Sequence, residues 1–205
     1  THSKIGKLRI FSFDIECMGR KGFFPDPTLD PVIQIACYVH TQGEPLDNAL
    51  KIIFMMGGCT PINGSMVYSF EDERELLKTF CELIRISDPD VLTGYNVQNF
   101  DMPYLLNRCK TLGISNDFDS IGRVLNRQSV MKRSTFTSSA FGSRESIDTS
   151  MEGIVMIDMI QYMYRNHKLS SYTLNAVSFE ILGQQKEDVH YSMISTLQMG
   201  TDEDR

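Results

Sequence analysis

Long apolar runs, a signal peptide and an excess of basic charge are all missing from this sequence of 205 residues. No run approaches the roughly 20 apolar residues that a membrane-spanning helix requires. The opening Thr-His-Ser-Lys lacks the apolar segment of a signal peptide. We therefore expect a soluble protein that is not secreted and has no membrane partner.

Paired cysteines are also missing. The five cysteines, at positions 17, 37, 59, 81 and 109, are odd in number and widely separated. They form no C-x-x-C pair, and no histidine stands near them at the spacing of a zinc site. This pattern is typical of reduced thiols in a cytosolic or nuclear protein.

The net charge of −6 argues against a domain that holds duplex DNA through its own charge, because neutralising phosphates requires clustered Lys and Arg. Concentrated carboxylates are nonetheless what a metal-dependent nuclease needs, and they repel a phosphodiester unless metal ions intervene. The charge is therefore compatible with a nuclease whose DNA is held mainly by something else.

The apolar pattern predicts one α/β domain. Three early strands suggest an antiparallel start, and strand and helix then alternate. This order predicts a mixed sheet flanked by helices, the layout of a ribonuclease-H-like fold. The predicted strands are 8–17, 31–39, 50–56, 91–95 and 153–157, and the predicted helices are 71–86, 102–112, 158–166 and 172–182.

Residues 121–155 interrupt this alternation. The stretch 126–150 is rich in Ser and Thr, carries four basic residues and has few aliphatic side chains. Such a composition predicts a β-hairpin insertion or a mobile loop.

Asp14 and Glu16 stand two residues apart on the first predicted strand, so both project to one face near the strand's carboxyl end. Open α/β sheets usually place ligands at that end. Like charges so close are costly unless a cation or a raised pKa relieves them, which makes a hard divalent ion the natural partner. The motif is common, and a strand end that emerges into solvent is the alternative.

A second group of polar residues lies in G-Y-N-V-Q-N-F-D-M-P-Y-L-L at 94–106, where a strand ends and a helix begins. Taken alone, Asp101 is better read as an N-cap, and Asn96 can be an ordinary turn residue. Together with Asp14 and Glu16, however, Asp101 completes the kind of acid set that binds paired metal ions for phosphodiester hydrolysis.

These motifs resemble those of the exonuclease domain of family B DNA polymerases. F-D-I-E at 13–16 is similar to the first exonuclease motif, and N-V-Q-N-F-D at 96–101 is similar to the second. Longer stretches at 19–35, 88–96 and 168–189 resemble the delta type more than the alpha or epsilon type.

The resemblance implies a DEDD 3′→5′ proofreading exonuclease with two Mg²⁺ or Mn²⁺ ions. Asp14, Glu16 and Asp101 would be its metal-binding catalytic acids, while Asn96 and Phe100 would shape the pocket for the 3′ end. The implied partners are a single-stranded DNA 3′ end or primer-template, the polymerase domain of the same parent chain, and a sliding clamp and accessory subunits, all in the nucleus.

Phe24 matches a family aromatic that packs against the terminal bases. The residues support this role independently, because the loop after Glu16 also presents Arg20, Lys21 and Phe23 close to the acids. Basic groups can track phosphates while aromatic rings stack bases without reading sequence. The alternative is that these rings cap the core beneath a loop, a role that remains open for Phe24 and is favoured for Phe23.

One element of the family pattern is not found. The family has a fourth acid in a Tyr-x-x-x-Asp motif after the second motif, whereas Tyr68 and Asp72 lie before it. Asp158 matches a family Asp that serves structure, and the acids at 202–204 lack the Tyr and are expected to fray. We expect that the sequence is truncated before the third motif and that the isolated fragment is nearly inactive.

Two other functions compete with proofreading. One is a catalytically silent interaction scaffold, which the presence of all three acids disfavours. The other is a free-standing DEDD exonuclease, which the low basic charge disfavours because such an enzyme must hold its own substrate.

Overall fold

The computed structural model describes residues 6–124, 127–128, 130–138, 142–185, 189 and 191–205. Its strands are β1 (Arg9–Cys17), β2 (Val32–Thr41), β3 (Leu50–Met56), β4 (Met66–Phe70), β5 (Val91–Gly94), β6 (Val130–Ser138), β7 (Gly142–Ser150) and β8 (Val155–Asp158). Its α-helices are α1 (Glu73–Ser87), α2 (Asp101–Thr111), α3 (Ser115–Asp119), α4 (Met159–Asn166), α5 (Leu174–Leu182) and α6 (Tyr191–Gln198), and a 3-10 turn spans Leu46–Asn48. Among the described helices, none is long and apolar enough to cross a membrane.

The main sheet has six strands in the order β4-β3-β2-β1-β5-β8. The first three strands are antiparallel neighbours, whereas β5 joins β1 in parallel and β8 joins β5 in parallel. This arrangement confirms the predicted mixed α/β sheet. Strand β4, which pairs in parallel with β3 at the sheet edge, was not predicted, because its five residues are largely exposed and have no core-facing pattern.

The core lies between one face of β1 and helix α1. Alternate residues of β1 are buried, and the ring of Phe80 on α1 contacts Phe13 at a centroid distance of 5.5 Å and Phe11 at 6.2 Å. Asp72 caps α1 by accepting the backbone N–H of Arg74 at 2.9 Å. The apolar face of α1 is turned to this core, since Leu76, Leu77, Phe80, Leu83 and Ile84 are all buried.

A second, two-stranded sheet is formed by β6 and β7. The two strands are antiparallel, in a register that runs from Val130 opposite Ser150 to Ser138 opposite Gly142. Residues 139–141 between them lie outside the described part of the chain. The limits 121–155 of an insertion stay a prediction.

Gly94 ends β5 where the chain passes very close to β1. A Cβ atom on Gly94 would stand 2.6 Å from the carbonyl oxygen of Phe13 and would also collide with the side chain of Val97. We expect Gly94→Ala to destabilise the domain by about 1–3 kcal/mol, because the obstructing Phe13 atom is backbone and cannot rotate away. Hydrogen exchange of peptides from β1 and β5 measures this loss. Gly6→Ala, with open space around the new Cβ atom, is the control and should change nothing.

Candidate active site

Asp14 and Glu16 lie on the face of β1 that is turned away from α1. They stand opposite Ala36 and Gln34 of β2, and both line a cavity of about 220 Å³ over this face of the sheet. The prediction that the two carboxylates share one face is therefore confirmed. The other residues lining this cavity are Gln34, Ala36, Ile53, Met55, Cys59, Ile62 and Arg205.

Asp101 reaches the same end of β1 from helix α2. Its carboxylate accepts the backbone N–H of Ile15 at 3.1 Å, and Ile15 is the residue between Asp14 and Glu16. The N-cap position belongs to Phe100, so Asp101 is the first residue inside the helix. The N-cap interpretation is therefore wrong, because the carboxylate is turned toward the strand instead of its own helix.

Burial raises the pKa of the Asp101 carboxyl to about 7, and the nearby charge of Asp14 adds to the rise. The N–H of Ile15 acts in the opposite direction, because it stabilises the ionised form. Asp101 is almost fully buried, so these effects operate in a region of low dielectric constant. A cation beside the carboxylates would relieve this repulsion.

The chemistry of this donor set fits a divalent metal ion, since carboxylate oxygens are the ligands that Mg²⁺ and Mn²⁺ prefer. Within the residues that the structure describes, no three His, Cys, Asp or Glu side chains are close enough together to hold a metal ion. The backbone around Ile15 is the meeting point of Asp14, Glu16 and Asp101. The side chains of these three acids do not form a cluster of metal ligands.

Asp158 holds the loop that leads into α2. Its carboxylate accepts the backbone N–H of Asn96 at 2.8 Å and that of Gln98 at 3.0 Å, and it caps α4 through the N–H of Ile160 at 3.2 Å. The predicted structural role of Asp158 is confirmed. Asn96 has a φ of 65°, a left-handed conformation that Asn tolerates better than most residues.

Asp158→Asn tests how strongly this loop positions Asp101. The substitution keeps the size of the side chain but points an NH₂ group at a backbone N–H, so at least one hydrogen bond is lost. We expect amide hydrogen exchange in the loop at 95–98 to become about 10–100-fold faster, because a hydrogen bond to a charged group contributes about 1.5–3 kcal/mol. Unchanged hydrogen exchange in this loop would show that it holds its position without Asp158.

An aromatic pocket of about 890 Å³ opens beside the acids. Arg20, Lys21, Phe24, Asn96 and Phe100 line it together with Glu16. The rings of Phe24 and Phe100 meet edge to face at 5.4 Å. The predicted pocket residues are therefore brought together next to one of the acids.

Neither Phe23 nor Phe24 caps the core. Phe24 is 74% exposed and Phe23 is 61% exposed, so the core-capping interpretation is wrong for both. Phe23 instead lies beneath the guanidinium of Arg20, whose central carbon is 5.2 Å from the ring centroid. Phe24 is left as an exposed ring at the mouth of the pocket.

Helix α6 supplies part of the pocket wall that sequence reasoning missed. Met193, Ile194, Ser195 and Thr196 line the pocket, and the hydroxyl of Ser195 donates to the carbonyl of Gly19 at 2.6 Å. The only local signal was a short apolar and polar mixture within 192–200, which does not reveal a helix of eight residues.

The prediction that the acids at 202–204 fray is wrong. Arg205 donates to the backbone carbonyls of Gly58 and Gly200, and the backbone carbonyl of Asp202 accepts the N–H of Thr60 at 3.0 Å. Asp204 accepts both the N–H and the hydroxyl of Thr201. The segment is fixed against the end of β3, at the edge of the cavity that contains Asp14 and Glu16.

Comparisons with known proteins identify the family. Residues 1–177 match the model for the exonuclease domain of DNA polymerase family B. The chain is 52% identical over 203 residues to the DNA polymerase delta catalytic subunit of Schizosaccharomyces pombe, and 50% identical over 202 residues to that of Bos taurus. These alignments cover 99% and 98% of the chain but 18% of each relative. The family match over most of the chain, with about half of the aligned residues identical, shows that this chain belongs to the exonuclease domain of family B DNA polymerases.

Proposed function

We propose that this chain removes mispaired 3′-terminal nucleotides as the 3′→5′ proofreading exonuclease domain of a delta-type replicative DNA polymerase. The observation that carries the proposal is the hydrogen bond from the N–H of Ile15 to Asp101. It brings the third acid of the family motifs to the strand end where Asp14 and Glu16 stand.

Exonuclease domains of this family generally use divalent metal ions. In the proposed reaction Asp14, Glu16 and Asp101 would hold two such ions, Mg²⁺ or Mn²⁺, and the bound ions would supply activation of water and stabilisation of the leaving oxygen. Water attacks the last phosphodiester, the bond from phosphorus to the 3′ oxygen breaks, and a nucleoside 5′-monophosphate is released. The buried carboxyl of Asp101 favours this arrangement because a cation would hold it in its ionised form.

The aromatic pocket suits a single-stranded 3′ end. Phe24 and Phe100 offer ring faces and edges to bases without reading their identity, and Arg20 and Lys21 can contact phosphates. A mismatched end enters more readily because it costs less to unpair. With a net charge of −6, the domain depends on the polymerase domain of the parent chain to hold the duplex.

Nuclear localisation and binding to a sliding clamp and accessory subunits belong to the same proposal. Their support is the identity to delta catalytic subunits from Schizosaccharomyces pombe, Bos taurus and Oryza sativa.

The proposal is tested with the full-length protein on a primer-template whose 3′ end is mispaired. We expect nucleoside monophosphates to be released from the 3′ end in Mg²⁺ or Mn²⁺, faster than from a paired end, and not in EDTA. Failure to digest either end with either ion would refute the proposal and favour the scaffold function. Equal digestion of free single strands without any polymerase activity would favour a free-standing exonuclease.

Phe24→Ala is expected to weaken binding of the 3′-terminal bases. Loss of one stacking ring costs about 1–3 kcal/mol, so the DNA concentration for half-maximal single-turnover hydrolysis should rise about 5–150-fold while the rate at saturation changes little. Phe23→Ala is the matched control, since that ring lies beneath Arg20 and should have a smaller effect. Equal effects of the two substitutions would argue against stacking on Phe24.

A further inference from the structure

A buried ion pair joins α1 to α2 beneath the loop at 18–31, which carries Phe24. The guanidinium of Arg108 donates to both carboxylate oxygens of Glu73, at 2.9 Å from Nε to Oε1 and 2.7 Å from Nη2 to Oε2. Both side chains are about nine-tenths buried. Desolvation cancels much of the attraction in such pairs, and apolar replacements are often equally stable. Stability alone is therefore a weak reason for this pair to be here.

The pair also holds the loop and the start of the strand that follows it. Arg108 donates from Nη1 to the carbonyl of Pro27 at 3.2 Å, and Glu73 accepts the N–H of Val32 at 2.8 Å. A third contact comes from α2, where the hydroxyl of Tyr104 donates to the carbonyl of Asp30 at 2.7 Å. The loop is thus fixed to α2 at Pro27 and Asp30, and the start of β2 directly after it is fixed to α1.

Inside the loop, Asp30 transmits this anchoring toward the pocket. Its buried carboxylate accepts Nε of Arg20 at 3.0 Å and the N–H of Asp26 at 2.8 Å. These two contacts lie on either side of Phe24 in the sequence. Phe24 therefore lies on a loop that Arg108 holds at Pro27 and Tyr104 holds at Asp30.

Helix α2 carries both Arg108, which holds the loop, and Asp101, the acid at the strand end. Asp101 is its first residue and Arg108 lies about two turns further on, while Phe100, just before the helix, contacts Phe24. We propose that the Glu73–Arg108 pair positions Phe24 relative to Asp101, which makes Arg108 a positioning residue for the 3′-terminal base. This inference rests on the proposed exonuclease function.

The test is a double-mutant cycle between Arg108→Lys and Phe24→Ala in the full-length protein. Lysine keeps the charge beside Glu73 but cannot donate to Glu73 and Pro27 in the same fork geometry. Single-turnover hydrolysis is measured on a primer with 2-aminopurine at the mispaired 3′ end, whose fluorescence reports unstacking of the terminal base.

We expect Arg108→Lys to raise the half-saturating DNA concentration about tenfold with little change in the rate at saturation, and to reduce the additional effect of Phe24→Ala. The fluorescence change on binding should shrink in both single variants. Arg74→Lys is the matched control, because exposed Arg74 also links α1 to the end of α2, through the carbonyl of Leu112. The effects of Arg74→Lys and Phe24→Ala on the half-saturating DNA concentration should be independent.

The inference would be overturned if Arg108→Lys and Phe24→Ala changed the half-saturating DNA concentration independently of each other. It would also be overturned if Arg108→Lys lowered only the rate at saturation. If Arg108→Lys does not fold, Glu73→Gln takes its place in the cycle, because it weakens the same pair and keeps an acceptor for Val32. A wild-type protein without exonuclease activity would refute the proposed function itself, whereas an active protein with uncoupled residues would refute this inference alone.

Discussion

Asp101→Asn is expected to reduce hydrolysis by about 10³-fold, as expected for loss of a group that acts on the charge of the transition state, while leaving the domain at least as stable as the wild type. The amide oxygen can still accept the N–H of Ile15, so the fold keeps this contact. The substitution removes a buried carboxylate that burial and Asp14 both disfavour in its charged form. Single-turnover hydrolysis and thermal unfolding in EDTA measure the two effects. A large fall in the unfolding temperature would mean that the carboxylate serves the fold.

The pH dependence of stability gives an independent check on Asp101. Its pKa is raised from 3.8 to about 7 in the folded protein, so the folded state keeps a proton that the unfolded state loses between these values. The free energy of unfolding of the metal-free protein should therefore decrease as pH rises from 4 to 7, by at most about 4 kcal/mol. Asp101→Asn should lack this contribution. Identical pH profiles for the two proteins would contradict the raised pKa.

Arg108→Met is expected to produce the largest loss of stability. The carboxylate of Glu73, which is about nine-tenths buried, would be left without its partner, and breaking a buried pair in this way costs about 3–5 kcal/mol. The double substitution Arg108→Met with Glu73→Leu should recover most of that loss, because no unpaired charge remains. Protection of α1 and α2 against hydrogen exchange measures the loss of stability in the single variant and in the double variant. If the double variant is as unstable as the single variant, the hydrogen bonds to Pro27 and Val32 matter more than the charge.

Elements with a local signal could be predicted from the sequence. The alternating burial of β1, the apolar face of α1 and the common face of Asp14 and Glu16 all follow from the period of two in strands and 3.6 in helices. The alternation of strand and helix in the second half likewise gave β5, α2, β8, α4 and α5. Motif resemblance then supplied Asp101, whose position 87 residues after Asp14 no periodic pattern could relate to β1.

Most contacts between distant segments could not be predicted. Asp101 looked like an N-cap because its local sequence suits one, yet its carboxylate accepts the N–H of Ile15, a residue of β1 beyond the part that pairs with β5. Phe23 was expected to cap the core, whereas it is exposed at the surface with Arg20 over its ring. Helix α6 and Arg205 reach the site only through tertiary packing.

In each of the two loops beside the acids, a carboxylate accepts at least one backbone N–H group of the loop. Asp158 fixes the loop before α2 through backbone N–H groups, and Asp30 fixes the loop after β1 in the same manner. Both carboxylates are buried, and Asp30 also accepts the side-chain Nε–H of Arg20. Asn96 and Phe24 are thereby left to face the pocket.

The most direct test of whether the three acids form one site is single-turnover release of a mispaired 3′ nucleotide by the full-length protein. The rates are compared among Asp14→Asn, Glu16→Gln, Asp101→Asn and the triple variant. Residues that act as a unit are strongly non-additive, so each single substitution should slow release nearly as much as all three together. Release at the wild-type rate after any one substitution, or three losses that simply multiply to give the triple variant, would contradict a shared site.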